Sequence, residues 1–219
     1  KVHEGFPCPH CGVQLTKRNM DRAWVTRFDN AVSQTIRQAK QVPVLINYSV
    51  GKKRYEKTPD AFDLALIDKI EQLDIPYWFP TDRMPEGYNT EQPKVSHGLT
   101  HVHHFYTKRN LWVLGVLLHK IASVSNKKVK AALFFGFNNT QQRHCLLNAH
   151  RFNVSFPSNI TSGTLYLSSM PRENEIIKQI KNKLLRRIRP ILFNSHKLQV
   201  VEATQSSTTL TNIKNNYFD

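Results

Sequence analysis

Acid and cysteine are both scarce in this sequence. Sixteen Asp and Glu stand against 31 Lys and Arg in 219 residues, a net charge of +15. The chain is 40% hydrophobic, enough to fold, and a folded domain this basic points to a polyanionic partner, nucleic acid first. A basic solvated surface is the plainer alternative. The three cysteines, Cys8, Cys11 and Cys145, are too few and odd in number for a disulfide framework, and they predict a reducing, cytoplasmic setting. No apolar run approaches the ~18 residues a membrane span needs, so no membrane partner is expected. No stretch reads as a signal peptide or an internal repeat. The chain opens on Lys1 rather than Met, which reads as a piece of a longer protein or as the product of processing.

Along the chain, residues 1–16 are rich in Gly and Pro and read as a small loop-rich element. Arg18 to Lys40 has a helical composition. VPVLINYSV (Val42–Val50) reads as a strand, followed by a turn carrying Lys52, Lys53 and Arg54 and a short return strand. Thr58-Pro59-Asp60 predicts a helix start, with Phe62, Leu66, Ile70 and Leu73 as its apolar stripe. Residues 76–100 are irregular and long enough to suggest a functional loop. Thr107 caps a helix running to about Ser123 whose apolar residues cover nearly every side. Residues 127–150 are ambiguous. Gly163–Pro171 reads as a strand, Glu173–Leu192 as an amphipathic helix with Ile177, Ile180, Leu184, Ile188 and Ile191 inward, and Leu198–Ala203 as a short strand. Alternating strands and helices predict an α/β or α+β domain.

Two clusters carry chemistry. In CPHCG (Cys8–Gly12) two thiolates three positions apart can grip one tetrahedral zinc ion, and Gly12 permits the turn that aims N–H groups at sulfur. Four ligands are needed and two are here; His3 and His10 lack ligand-like spacing, so a second C-x-x-C is expected upstream. HVHHFYTKRNLW (His101–Trp112) gathers three histidines in four positions. No HExxH pattern or nearby carboxylate pair supports a metal, so pocket lining or core hydrogen bonding is the favoured role for His97, His101, His103 and His104. The basic faces of 52–54 and 173–192 are either phosphate contacts or solvated surface.

GKKRYEKTPDAFDL, IPYWFPTDRMPEGYNT, HGLTHVHHFYTKRNLWVL and TQSSTTLTNI together resemble the central part of prokaryotic DNA methyltransferases that modify an exocyclic amino group of adenine or cytosine. The resemblance covers roughly Cys8 to Asp219. It implies an incomplete Rossmann-like α/β fold that takes S-adenosylmethionine, with residues 1–16 as half of a zinc ribbon and 17–219 as part of the methyltransferase domain with an inserted helix and loop region. It also implies a role in restriction-modification. Phe105, Tyr106, Thr107 and Arg109 match a family segment that opens the helix closing one side of the cofactor pocket. Lys108 stands where many relatives have Pro. Cys8 and Cys11 become structural zinc ligands, and Lys52, Lys53 and Arg54 become DNA contacts. The family's Asp-Pro-Pro-aromatic catalytic motif is expected beyond Asp219 and its Gly-rich cofactor loop upstream, so no catalytic residue is assigned within the chain. A non-catalytic zinc-containing nucleic-acid-binding protein and an RNA-directed methyltransferase are the competing expectations.

Overall fold

The computed structural model describes residues 5–16, 19–151 and 158–188. They form a mixed α/β assembly of five α-helices and four two-stranded antiparallel sheets. No parallel sheet of the kind a Rossmann-like fold requires lies among the described residues. Strands β1 (Phe6–Pro7) and β2 (Gln14–Leu15) pair around the cysteine turn.

The first departure from the sequence reading follows at once. Residues 19–40 form not a helix but a hairpin, β3 (Trp24–Asp29) against β4 (Gln34–Ala39). The β-branched and aromatic residues Val25, Thr26, Phe28, Thr35 and Ile36 suit a pleated strand better than a helix. Ile36 and Gln38 alternate inward on β4 while Thr35 and Arg37 face out. Arg37 lies over the Trp24 ring, 4.8 Å from its centroid. The expected hairpin forms with a shorter first strand: β5 is Ile46–Val50 rather than Val42–Val50, and it pairs with β6 (Lys53–Lys57), closed by Gly51 and Lys52. Gly51 has φ +61°, the left-handed conformation that a type II′ turn places at its first central residue.

Helix α1 (Ala61–Gln72) starts where expected, but its cap is Asp60 rather than Thr58. Asp60 and Asp63 exchange side-chain to backbone hydrogen bonds, each 3.0 Å, a reciprocal box that outcompetes a hydroxyl two residues earlier. Its expected inward stripe is wrong: Phe62, Leu66 and Leu73 are exposed. The irregular stretch 76–100 contains a further helix, α2 (Tyr88–His97), and is tied down at its start. Met84 N–H donates to Thr100 O (2.8 Å) and Val102 N–H to Asp82 O (2.9 Å). Gly98, at φ +71°, ends α2 against the Arg37 carbonyl; any Cβ there would collide with that oxygen.

Helix α3 (Lys108–Ala122) is capped by Thr107 and ends at Ser123, as its sequence predicts. Only His119 and Lys120 on it are exposed. Helix α4 (Lys127–Asn138) resolves the ambiguous region, followed by a 3-10 turn at Gln141–His144. Strands β7 (Ala149–His150) and β8 (Ser158–Asn159) are minimal. Residues 163–171 do not form the expected strand: their period-2 pattern finds no partner beyond one bridge from Pro171 to Ala149. Helix α5 (Ile176–Lys183) continues into a π turn, Leu184–Ile188. Of its expected inward residues, Ile180 packs on the core and Leu184 is half-buried, but Ile177 is exposed and Ile176 is buried in its place. Lys183, on the basic helix 173–192, donates to Asn139 O at 2.8 Å. The remainder of that helix and the strand at 198–203 lie outside the described residues.

The core has two parts. Leu99, Phe105, Cys145, Leu146 and Leu167 form one, and Leu114, Phe137 and Ile176 the other. Tyr106 packs against both, so the start of α3 is where they join.

Candidate functional site

The histidine-rich segment folds as a 3-10 turn, Val102–Phe105, leading directly into α3. Its organiser is a residue far away in sequence. Asp29, at the end of β3, places Oδ2 2.9 Å from His103 Nε2 and 2.8 Å from His104 Nε2. Its Oδ1 accepts the Ala31 N–H at 3.0 Å and closes the hairpin turn. Burial pushes the Asp29 carboxyl upward, but the hydrogen bonds from His103 and His104 outweigh it and hold the group below the usual carboxylate range. Burial brings His104 down to about 4, against which the Asp29 hydrogen bond acts only partly, and burial next to Arg22 does the same for His97. His101 is lowered too, first by burial and then by His103. His104 is therefore neutral at pH 7, and its contact with Asp29 is a neutral N–H donated to a carboxylate.

Asp29 Oδ2, His103 Nε2 and His104 Nε2 lie within 4.8 Å of one another, a two-histidine, one-carboxylate donor set. The hydrogen bonding argues against an ion among them. His104 Nδ1 accepts the Thr100 N–H at 3.2 Å, which assigns the lone pair to Nδ1 and the proton to Nε2. A metal on Nε2 would need that proton moved to Nδ1, where it would face a backbone N–H. The cluster is thus a latch joining β3 to the start of α3, in keeping with the core hydrogen-bonding role expected for these histidines. His103 Nδ1 is buried with no hydrogen-bond partner.

The four residues matched to a cofactor pocket sit together but do different work. Phe105 is 6% exposed and belongs to the core. Tyr106 is wedged between the two core clusters, where burial raises its hydroxyl far above the ordinary range. Thr107 Oγ1 accepts the Asn110 N–H at 3.4 Å. Arg109 reaches Glu173 with two nitrogens, Nη2 to Oε1 at 2.6 Å and Nε to Oε2 at 3.3 Å. Lys108 donates to the Glu71 carbonyl at 2.7 Å and so fastens the end of α1 to the start of α3. A helix start leaves its first N–H groups without intrahelical partners and at the positive end of the dipole. On α3 those belong to Lys108 and Arg109 and stand beside the Thr107 hydroxyl. Of the expected set, Thr107 and this N-terminus fit a ligand carboxylate. Phe105 and Arg109 are committed to the core and to Glu173.

Cys8 and Cys11 occupy the turn between β1 and β2. Cys8 N–H donates to Val13 O (2.8 Å), Gly12 N–H to Cys8 O (2.9 Å), and Gly12 takes φ +72°. Backbone N–H groups of His10 and Cys11 point at the Cys8 sulfur, with a further contribution from the Cys11 side chain, and hold its thiol below the ordinary range. That is the electrostatics a thiolate ligand needs, and it fits two of the four donors of a structural zinc. Cys145, by contrast, is buried, its thiol pushed up by desolvation, and has only a core role. Lys52, Lys53 and Arg54 lie at the exposed tip of the β5–β6 hairpin and form no ion pair among the described residues.

Sequence reasoning missed Asp29, Glu173 and Gly98. The first two are ordinary acids 74 and 64 positions from their partners, with no local pattern to mark them. Compared with models of known protein families, with curated proteins and with solved structures, the chain matches none of them. No helix among the described residues is long and apolar enough to cross a membrane.

Proposed function

We propose that this chain is part of a DNA methyltransferase that transfers a methyl group from S-adenosylmethionine to an exocyclic amino group of adenine or cytosine. The observation that carries the reading is the start of α3. The segment whose sequence resembles the family's cofactor-pocket motif is a helix N-terminus, with Thr107 as cap and Phe105 and Tyr106 packed in the core. On this reading the Rossmann-like sheet lies in sequence outside the described residues, and β1–β2 is half of a zinc ribbon held by Cys8 and Cys11.

Each residue then has a defined task. The α3 N-terminus and the Thr107 hydroxyl receive the carboxylate of the cofactor, which supplies the methyl group on a sulfonium. Arg109, through Glu173, and the Asp29 latch fix the direction of α3, and orientation of this kind accounts for much of the acceleration in a two-substrate transfer. The target base leaves the helical stack because its amino group is otherwise unreachable. Lys52, Lys53 and Arg54 contact DNA, the two lysines on phosphates, which makes binding salt-dependent. The basic hairpin by itself also favours a second reading, a non-catalytic zinc-containing nucleic-acid-binding protein.

The test is methyl transfer by the complete protein from radiolabelled S-adenosylmethionine to duplex DNA. Label in DNA, recovered as an amino-methylated base, is the expected result. DNA binding without transfer would leave the second reading, and label in RNA alone would make the enzyme RNA-directed.

A further inference from the structure

The β5–β6 hairpin is exposed on both faces. Along its five-residue strands only the two base positions, Ile46 and Lys57, are half-covered, and neither strand has more than marginal contact with any other helix or strand. A lone two-stranded ribbon is marginal in water. This one is braced by Tyr48 stacked on Tyr55, ring centroids 5.5 Å apart. The pleat sorts its side chains. One face carries Tyr48, Val50, Lys53 and Tyr55. The other carries Asn47, Ser49, Arg54 and Glu56, all polar and all exposed. Asn47 Nδ2 donates to Glu56 Oε1 across the strands at 2.9 Å, which leaves the other Glu56 carboxylate oxygen out of that bond. Between Asp29 and Glu56 there is no acid at all, while Arg37, Lys40, Lys52, Lys53 and Arg54 are cationic.

We infer that this hairpin enters the major groove of duplex DNA as a β-ribbon and reads base edges with its Asn47–Ser49–Arg54–Glu56 face. The inference rests on the DNA partner proposed above but goes beyond phosphate contact by the tip. The charge of the ribbon and its surroundings selects a polyanion. A two-stranded ribbon fits a groove about 12 Å wide. Arg offers two donors to the acceptors of guanine, and a carboxylate accepts from the cytosine amine. The Gly51–Lys52 turn and Lys53 place positive charge where the groove walls carry phosphate. Direct base contact and phosphate contact are thereby divided between different residues of one small element.

The experiment uses the complete protein and a randomised duplex library, with bound sequences read out at several salt concentrations. Lys52→Ala with Lys53→Ala is expected to weaken binding about equally for all sequences and to flatten the log–log salt dependence by about 0.9 per lost phosphate contact. Arg54→Ala is expected to erase preference at one or two base pairs, on the order of tenfold, with the salt slope nearly kept. Thermal melts control for folding, and Arg54→Lys, which keeps charge but not the fork, should not restore the preference. Wild-type sequence preference in the Arg54→Ala protein, or a uniform loss with a changed slope, overturns base reading by this face. If the wild-type protein binds no duplex DNA, the ribbon inference and the DNA reading fall together. If it selects sequences through the ribbon but transfers no methyl group, only the methyltransferase reading falls.

Discussion

Asp29→Ala is the perturbation that bears most directly on how the site is held. It removes one acceptor oxygen shared by two imidazoles, His103 and His104, at 2.9 and 2.8 Å, and a second that closes the turn through Ala31. Ala31 is exposed, so water replaces that bond at little cost. The two Nε2–H groups are not so placed, since the His103 and His104 side chains are 7% and 1% exposed. Each buried donor left without a partner costs about 1–3 kcal/mol, so the variant should lose about 2–6 kcal/mol, a large part of the whole stability of a typical domain. Asn at position 29 keeps one acceptor oxygen and should fall between wild type and Ala. Urea unfolding at pH 7, followed by far-ultraviolet circular dichroism, measures all three. A loss below about 1 kcal/mol in Asp29→Ala would refute the latch, because buried N–H groups cannot be orphaned so cheaply. A metal at the same three donors makes a different prediction: in a protein lacking Cys8 and Cys11, a chelator would destabilise the wild type about as much as the substitution does. The hydrogen-bond argument at His104 predicts no chelator effect there.

The same cluster sets a pH dependence. His104 and His97 titrate near 4 in the folded protein against 6.5 unfolded, so the unfolded chain takes up protons first as pH falls. Their contribution is complete above 6.5 and is lost as pH drops toward 4, about 3 kcal/mol for His104; Asp29, whose folded value is lowered, adds to the loss below the ordinary carboxylate range. Urea midpoints from pH 7 to 4.5 should fall steeply in wild type and less so in His104→Gln. Thr107→Val should cost ~1 kcal/mol through the lost cap, and in the complete protein also about tenfold in S-adenosylmethionine affinity if the hydroxyl meets the cofactor. Calorimetric titration beside a thermal melt separates the two. On the proposed zinc-ribbon reading, the complete protein should carry one zinc per ribbon, lost in Cys8→Ser with Cys11→Ser, while this chain alone should bind it poorly; metal analysis of both forms decides it.

What could be read in advance follows the range of the interactions involved. Helix α3 announces itself because its cap, its apolar positions and its end signal all lie within the helix or next to it. The β5–β6 hairpin does so because Gly51 marks a turn between β-rich runs. The β3–β4 hairpin hides because Ala, Gln and Arg spell a helix locally. What decides for strands is the pairing of Trp24 to Ala39 and Asp29 to Gln34, together with burial of Ile36 and Gln38, neither visible in a short window. Residues 163–171 fail in the opposite sense: their alternation is strand-like, but a strand needs a neighbour. The site divides the same way. Thr107 and the cysteine turn are local chemistry, whereas Asp29 and Glu173 acquire their partners only through folding.

Those long-range residues also connect the two halves of the proposed activity. The β3–β4 hairpin is held to the start of α3 twice, by Asp29 on His103 and His104 and through Arg27, which pairs with Glu71 at 3.2 Å while the Glu71 carbonyl takes Lys108, and it meets the end of α2 where Gly98 closely approaches Arg37. From the end of β4 only residues 40–45, with Pro43 among them, lead to the ribbon at Ile46. Six residues, stiffened by a proline, give the ribbon a short reach from a fixed base. The element proposed to read DNA and the helix end proposed to hold the cofactor are thus mounted on one frame. Loosening that frame at Asp29 should therefore uncouple them: DNA selection by the ribbon's own side chains would survive, while transfer, which needs base and methyl group aligned, would fall.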